Sequence, residues 1–94
     1  MKVVFVEKPH SLEIREVPVP GPGTGEALIR VRAGGICGSD MHIYHGTNPL
    51  AKYPRIIGHE FSGEVAEVGK GVTGYVPGDR VAVDMRAYGV RLPF

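Results

Sequence analysis

The stretch GICGSDMHIYHG, from Gly35 to Gly46, holds most of the chemically reactive side chains on which the interpretation of this chain depends. It contains the only cysteine among the 94 residues, Cys37. A single thiol can ligate a metal, act as a nucleophile, or pack as a small buried residue. The residues alone leave all three roles open, and the remainder of the sequence has to decide between them.

The same stretch predicts a short helical turn. Ser39 or Asp40 can N-cap a segment that runs through Met41, His42, Ile43 and Tyr44, and Gly46 can end it. His42 and His45 are three residues apart and would share one face of such a turn, where they could form half of a metal site. The turn therefore places several polar groups just after Cys37.

A second reactive group follows 22 positions after Cys37, in the pair His59-Glu60. Neighbouring residues in a strand point to opposite faces, so the backbone must bend if both side chains are to approach one ion, and Gly58 permits that bend. Otherwise Glu60 would act through water, or the pair would be an exposed turn. Any metal site must be assembled by folding, because no local C-x-x-C pair exists.

Outside these segments the sequence predicts strands and turns. Fourteen glycines and eight prolines are spread along the chain, which favours an all-β domain over a helical one. We expect Gly34-Gly35 to break the third strand and His10 to be a solvated turn residue. The expected strands are Val3–Val6, Leu12–Val17, Ala27–Ala33, Ser62–Val68 and Arg80–Asp84.

The segment from Gly69 to Gly74 matches G-x-G-x-x-G, a pattern found in dinucleotide-binding proteins. That function needs a helix to begin there, so that its N-terminus can hold the pyrophosphate. Here Tyr75-Val76-Pro77-Gly78 follows, which would break a helix. We therefore predict a turn and assign no cofactor-binding residue in this chain.

Composition excludes several classes of function. The net charge is +1 with no basic stripe, so we expect neither nucleic acid nor a membrane as partner. One cysteine cannot form an internal disulfide, and the apolar run Val3–Val6 is too short for a signal peptide. A cytoplasmic protein is the default expectation.

Three motifs together resemble a known family. GICGSDMHIYHG, YPRIIGHEFSGEVAEVGKGV and GDRVAVD, in this order and spacing, resemble the N-terminal catalytic domain of zinc-dependent medium-chain alcohol dehydrogenases. The polyol, sugar-acid and threonine dehydrogenases and the starvation-sensing oxidoreductases are the most similar branch. The resemblance implies a mainly β, GroES-like, partly open barrel with one or two short helical turns.

The resemblance also implies roles for individual residues. Cys37 and His59 would ligate one catalytic zinc ion, and Glu60 would be a third, exchangeable ligand. Ser39 would hydrogen-bond the substrate hydroxyl and His42 would be the outer end of a proton relay. In this scheme the thiol is a ligand and not a nucleophile, and zinc activates an alcohol that passes hydride to NAD or NADP.

The resemblance further implies that Asp40 accepts a hydrogen bond from His59 and sets its tautomer. It also implies a domain organisation. Residues 1–84 would form the catalytic-domain portion. Residues 85–94 would be a divergent or truncated tail at the position of a structural-zinc lobe, with Tyr88, Arg91 and Phe94 at the cysteine spacing.

The family binds its nicotinamide on a separate Rossmann domain, which these 94 residues do not contain. We expect a homodimer or homotetramer for a full-length protein, a small alcohol as substrate, and no turnover by this chain alone. Two alternatives stay open. One is a zinc-independent quinone reductase relative, which would not need Cys37 or His59-Glu60. The other is a non-catalytic GroES-like module.

Overall fold

The computed structural model describes residues 1–84 and 90–93, most of which lie in strands or turns. Their backbone contacts divide them into two compact units, residues 1–19 with 36–58, and residues 20–35 with the described residues from 59 onward. In chain order the elements are β1 (Lys2–Lys8), β2 (Ser11–Glu16), β3 (Ala27–Gly35), α1 (Gly38–His45), β4 (Arg55–Ile57), β5 (Glu60–Val68), β6 (Arg80–Asp84) and β7 (Val90–Pro93).

The first unit is built on a three-stranded antiparallel sheet with the order β2-β1-β4. The central strand β1 carries the sheet's buried residues, Val3 and Val6, because it is the strand with a partner on each side. Helix α1 contacts this strand and buries Ile43. The hydroxyl of Tyr53 donates a hydrogen bond to the carbonyl of Ile43, so the loop after the helix is attached to it.

The sequence predicted the C-terminal end of helix α1 correctly but not its N-terminal end. Its N-cap is Cys37, so the expectation of Ser39 or Asp40 at that position is wrong. Asp40 is instead the third helical residue and reaches back to the cap. The predicted end at Gly46 is confirmed, because this glycine has a left-handed φ of 74° and donates to carbonyls of the last turn.

The second unit contains a four-stranded antiparallel sheet with the order β3-β5-β6-β7. Its core includes Val65, 2% exposed, and Val81, fully buried. The ladder between β3 and β5 runs from the Ala27–Val68 pair to the Gly35–Glu60 pair. The prediction that Gly34-Gly35 breaks the third strand is therefore wrong, since partners on β5 sustain the strand despite the low strand propensity of glycine.

Two further elements were not predicted from the sequence. Strand β4 is three residues long, and β7 pairs with β6 from Val90 to Pro93. Short strands of this kind carry too little alternation to be recognised without their partners. Tyr88 and Phe94, which the resemblance places at cysteine positions of a structural-zinc lobe, lie outside the described residues.

The segment from Gly69 to Gly74 is a turn, as predicted. Gly71 and Gly74 have φ values of 85° and 84°, and no helix begins there. The expectation of a mainly β fold is confirmed, with one helix among the described residues and two open sheets, neither of which closes on itself. In the described part of the chain no helix has the length and apolarity needed to cross a membrane.

Candidate metal and proton-transfer site

Cys37 is half-buried and sits at the start of α1 in an extended conformation, with φ −95° and ψ 156°. Two reciprocal hydrogen bonds hold its backbone. Its N–H donates to Oδ2 of Asp40 at 3.1 Å, and the Asp40 N–H donates to its carbonyl at 3.0 Å. The backbone of Cys37 is thus held by a reciprocal pair of contacts with Asp40.

Asp40 is the buried charged residue of the described chain, with 7% of its surface exposed. Its carboxylate lies in the first turn of α1, where the positive end of the helix dipole stabilises a negative charge. The bond to Cys37 explains part of its burial, because a buried carboxylate needs hydrogen-bond donors. Its predicted bond with His59 stays a prediction. Ser39, the residue before it, is exposed and can be reached by a small molecule.

His42 is exposed on α1 and contacts a residue that the sequence did not indicate. Its Nδ1 lies 2.7 Å from Oγ1 of Thr47, and the Thr47 hydroxyl lies 3.5 Å from the His42 carbonyl as a donor. The Thr47 backbone N–H also donates to that carbonyl, at 3.0 Å. The ring of His42 is therefore held from one side by the residue that follows the helix end.

The second set of residues lies at the start of β5. Glu60 is the first residue of the strand and is exposed, whereas His59 precedes it and is half-buried. Gly58 has a φ of 109°, in the region that favours glycine, so this residue adopts a conformation that few other residues could take. His59 is thus outside the regular strand, and its side-chain direction is not tied to strand alternation.

Glu60 also approaches the paired end of β3. If Gly35 carried a Cβ, that atom would lie 3.6 Å from Oε2 of Glu60 and 3.8 Å from its Cβ. The carboxylate side chain therefore extends along the Gly35 backbone, over a surface that a larger residue would occupy. This contact places the Glu60 carboxylate at the end of the β3–β5 ladder, beside Gly35. Gly35 precedes Cys37 by two residues in the sequence.

The family model described as the alcohol dehydrogenase GroES-like domain matches residues 23–91 of the chain. Among curated proteins, the starvation-sensing protein RspB of Escherichia coli K12 is 55% identical over 84 residues, which cover 89% of this chain and 25% of RspB. The chain spans about a quarter of the length of the curated relatives it matches.

Two other relatives carry names that describe chemistry. An uncharacterised zinc-type alcohol dehydrogenase-like protein of Haemophilus influenzae is 49% identical, with 89% of this chain and 25% of the relative covered. The L-galactonate-5-dehydrogenase of Escherichia coli K12 is 40% identical, with 88% of this chain and 24% of the relative covered. Both names contain the word dehydrogenase, and the first also mentions zinc and alcohol.

Solved structures show the same fold. The rspB dehydrogenase from Escherichia coli CFT073, determined with NADH, superposes with a TM-score of 0.81 at 52% identity, over 89% of this chain and 24% of that one. A zinc-binding dehydrogenase from Sinorhizobium meliloti, determined with NADP, gives a TM-score of 0.81 at 41% identity, over 88% and 24%. Both similarities concern the region that contains Cys37 and His59-Glu60.

Proposed function

Since the chain belongs to the alcohol dehydrogenase GroES-like domain family, we propose that it is the zinc-binding catalytic part of an NAD(P)-dependent dehydrogenase. The substrate would be a polyol, a sugar acid or a related secondary alcohol, in line with the name of the galactonate dehydrogenase relative. The nicotinamide would bind outside these 94 residues. For the whole protein we propose a cytoplasmic location and a homodimer or homotetramer.

We propose Cys37, His59 and Glu60 as the ligands of one zinc ion. Their side chains supply a thiolate, an imidazole and a carboxylate, which are the zinc donors found in proteins. Catalytic zinc sites commonly use three protein ligands and keep one position open for water or substrate. The donor set of this chain therefore fits a catalytic ion better than a closed structural one.

The observation that supports this set of ligands is the register of β3 and β5. Gly35 pairs with Glu60, so these two strand ends are neighbours in the ladder. Cys37 follows Gly35 by two residues and His59 directly precedes Glu60. Because two residues of chain span at most about 7 Å, the covalent chain tethers all three side chains to the same end of this ladder.

When bound, zinc would act as a Lewis acid on the oxygen of the substrate. Ser39, exposed at the start of α1, would accept the hydroxyl proton and pass it on. His42 would receive it, since an imidazole exchanges protons near neutral pH. Asp40 would keep Cys37 in place through its backbone bond and would accept from His59, holding that ring in one tautomer.

The contact between His42 and Thr47 suggests which ring nitrogen carries the proton. If the Thr47 hydroxyl donates to the His42 carbonyl, its oxygen can accept from Nδ1–H. Nε2 is then the nitrogen that takes up the proton from Ser39. Thr47 is therefore a positioning residue, and its role is to orient the imidazole rather than to contact the substrate.

The test is the zinc content of the 94-residue chain at neutral pH, measured by mass spectrometry of metals after dialysis against buffer. We expect Cys37→Ser and His59→Ala each to bind one zinc fewer per chain than the wild type, and Glu67→Ala to bind as much as the wild type. Glu67 is an exposed carboxylate on β5 and serves as the matched control. We expect no alcohol oxidation by this chain with NAD.

A zinc content equal to that of the wild type in both ligand variants would contradict the proposed ligands. A wild-type chain that binds no zinc would point instead to a non-catalytic GroES-like module. Alcohol oxidation by the purified 94-residue chain, abolished by Cys37→Ser, would refute the expectation that turnover needs a further domain.

A further inference from the structure

His10, Tyr44 and His45 form a cluster of three rings that the proposed dehydrogenase site does not use. The ring centroids of His10 and His45 are 5.8 Å apart, and those of His10 and Tyr44 are 5.6 Å apart in an edge-to-face arrangement. The rings of Tyr44 and His45 are 5.3 Å apart. All three residues belong to the first compact unit, and both histidines are exposed.

The backbone holds the two histidines in place. His10 occupies the two-residue turn between β1 and β2, where Lys8 pairs with Ser11. Its N–H donates to the carbonyl of Tyr44 at 2.8 Å, which fixes the turn against the C-terminal end of α1. A second contact lies beside it, because a Cβ at Gly46 would be only 2.7 Å from the Pro9 ring.

The backbone conformation of His10 adds a second observation. It has a φ of 67° and is the one non-glycine residue with a positive φ in the described chain. The position follows a proline in a tight turn, where glycine or asparagine is usual. A residue kept in a sparsely populated conformation is a reason to look for a function of its side chain.

We propose that His10 and His45 together bind one transition-metal ion of the kind that prefers imidazole, such as Ni²⁺, Cu²⁺ or Zn²⁺. Metal–nitrogen bonds of about 2.0–2.1 Å put the ion about 3.2 Å from each ring centroid, so two rings that share an ion have centroids at most about 6.4 Å apart. The observed separation of 5.8 Å lies within that limit. The exposure of both rings leaves room for water at the other coordination positions.

The electrostatic setting favours a cation. His45 is the last residue of α1, and the C-terminal end of a helix carries the negative end of its dipole. The ring of Tyr44 packs against both imidazoles and limits the directions in which they can turn. The site thus combines two imidazole rings, whose centroids are close enough to share one ion, with a helix end that attracts positive charge.

The experiment is a titration of the chain with Ni²⁺, without an affinity tag and in a Cys37→Ser background that removes the thiol. Binding is measured by calorimetry, and the imidazole proton signals of the four histidines are followed by NMR. We expect one Ni²⁺ per chain, with the signals of His10 and His45 broadened first. His10→Gly should weaken binding at least tenfold.

Two comparisons make the result decisive. Glycine suits the positive φ at position 10, so His10→Gly should fold, and its far-UV circular dichroism provides a check. His42→Ala, on the same helix, should change the affinity for Ni²⁺ by less than twofold, whereas His45→Gln should reproduce the loss seen at His10. Unchanged binding in His10→Gly, or simultaneous broadening of all four histidines, would overturn the proposal.

Discussion

A substitution of Gly63 tests how closely β3 and β5 pack in the second sheet, because the lack of a side chain at this residue lets the two strands approach each other. Gly63 lies in the middle of β5, opposite Val31 of β3 and Val81 of β6. A Cβ at this position would lie 2.0 Å from the carbonyl oxygen of Arg30 and 3.1 Å from Cγ2 of Ile29. The first of these atoms belongs to the backbone, so no rotation of a side chain can relieve the contact.

The cause of the close approach is an irregular register. Val31 pairs with Gly63 and Ala33 with Ser62, so Arg32 is an extra residue on β3. Such a bulge bends the strand, and glycine inside a strand often marks a place where another backbone comes close. We therefore attribute the glycine to the bulge and not to a turn.

The expected effect of Gly63→Ala follows from these distances. Real Cβ contacts are essentially never under 3.0 Å, so the Arg30 carbonyl must move by at least 1.0 Å, the difference between 3.0 and 2.0 Å. Overpacking costs about 1–3 kcal/mol, and each weakened ladder hydrogen bond adds about 0.5–1.5 kcal/mol. We expect the free energy of unfolding to fall by about 3 kcal/mol, out of about 5–14 kcal/mol for a chain of this length.

The assay is urea unfolding followed by far-UV circular dichroism. With a slope of about 1.5 kcal/mol per molar urea, the midpoint should fall by about 2 M. Gly38→Ala is the matched control, since a Cβ there meets no atom within 4 Å, and we expect a change within about 0.5 kcal/mol. A midpoint for Gly63→Ala within about 0.3 M of the wild type would refute the reasoning.

Three further substitutions probe the frame of the proposed sites. Gly58→Ala should lower the free energy of unfolding by about 1–2 kcal/mol, because its φ of 109° disfavours a side chain even though a Cβ there would meet no atom within 4 Å. The substitution should also weaken zinc binding, because it would turn His59. Thermal melting measures the first effect and zinc titration the second. Asp40→Ala should cost about 1–3 kcal/mol by leaving the Cys37 N–H without its acceptor, whereas Asp40→Asn, which keeps an oxygen, should lose less; equal urea midpoints for the two variants would contradict this. Gly46→Ala should cost about 2 kcal/mol in thermal unfolding through its left-handed φ of 74° and its contact with the Pro9 ring, and an unchanged melting temperature would count against that contact.

The sequence predicted the strands wherever apolar residues alternate with polar ones, as in Ala27–Ala33. It failed at Gly34-Gly35, because local propensity predicts a break there and pairing with Phe61 and Glu60 overrides it. It also misplaced the N-cap of α1. Cysteine is not a preferred cap, but an acidic residue three positions after it could have indicated a capping box, in which Asp40 reaches back to Cys37.

The candidate site shows the same limits. Cys37, His59 and Glu60 were proposed from residue type and family motif, and Gly58 was noted as a residue that permits an unusual backbone conformation. Thr47 was missed, because a threonine in a loop carries no signal that it contacts His42. The approach of His10 to His45 was missed for the same reason, since it depends on how the turn between β1 and β2 packs against α1.

Donor chemistry keeps the two proposed metal sites distinct. The set with Cys37 contains a thiolate, and sulfur donors favour zinc and other soft ions over the hard cations. The pair His10 and His45 has no sulfur and no carboxylate among its donors, so it would hold its ion less tightly and select for imidazole-preferring metals. Because both proposed sets need deprotonated ligands, both would lose metal on acidification, yet only the first would lose it on substitution of the thiol. Occupancy of the two sites is therefore separable within one chain: Cys37→Ser should remove one ion and leave the other, and His10→Gly should do the reverse.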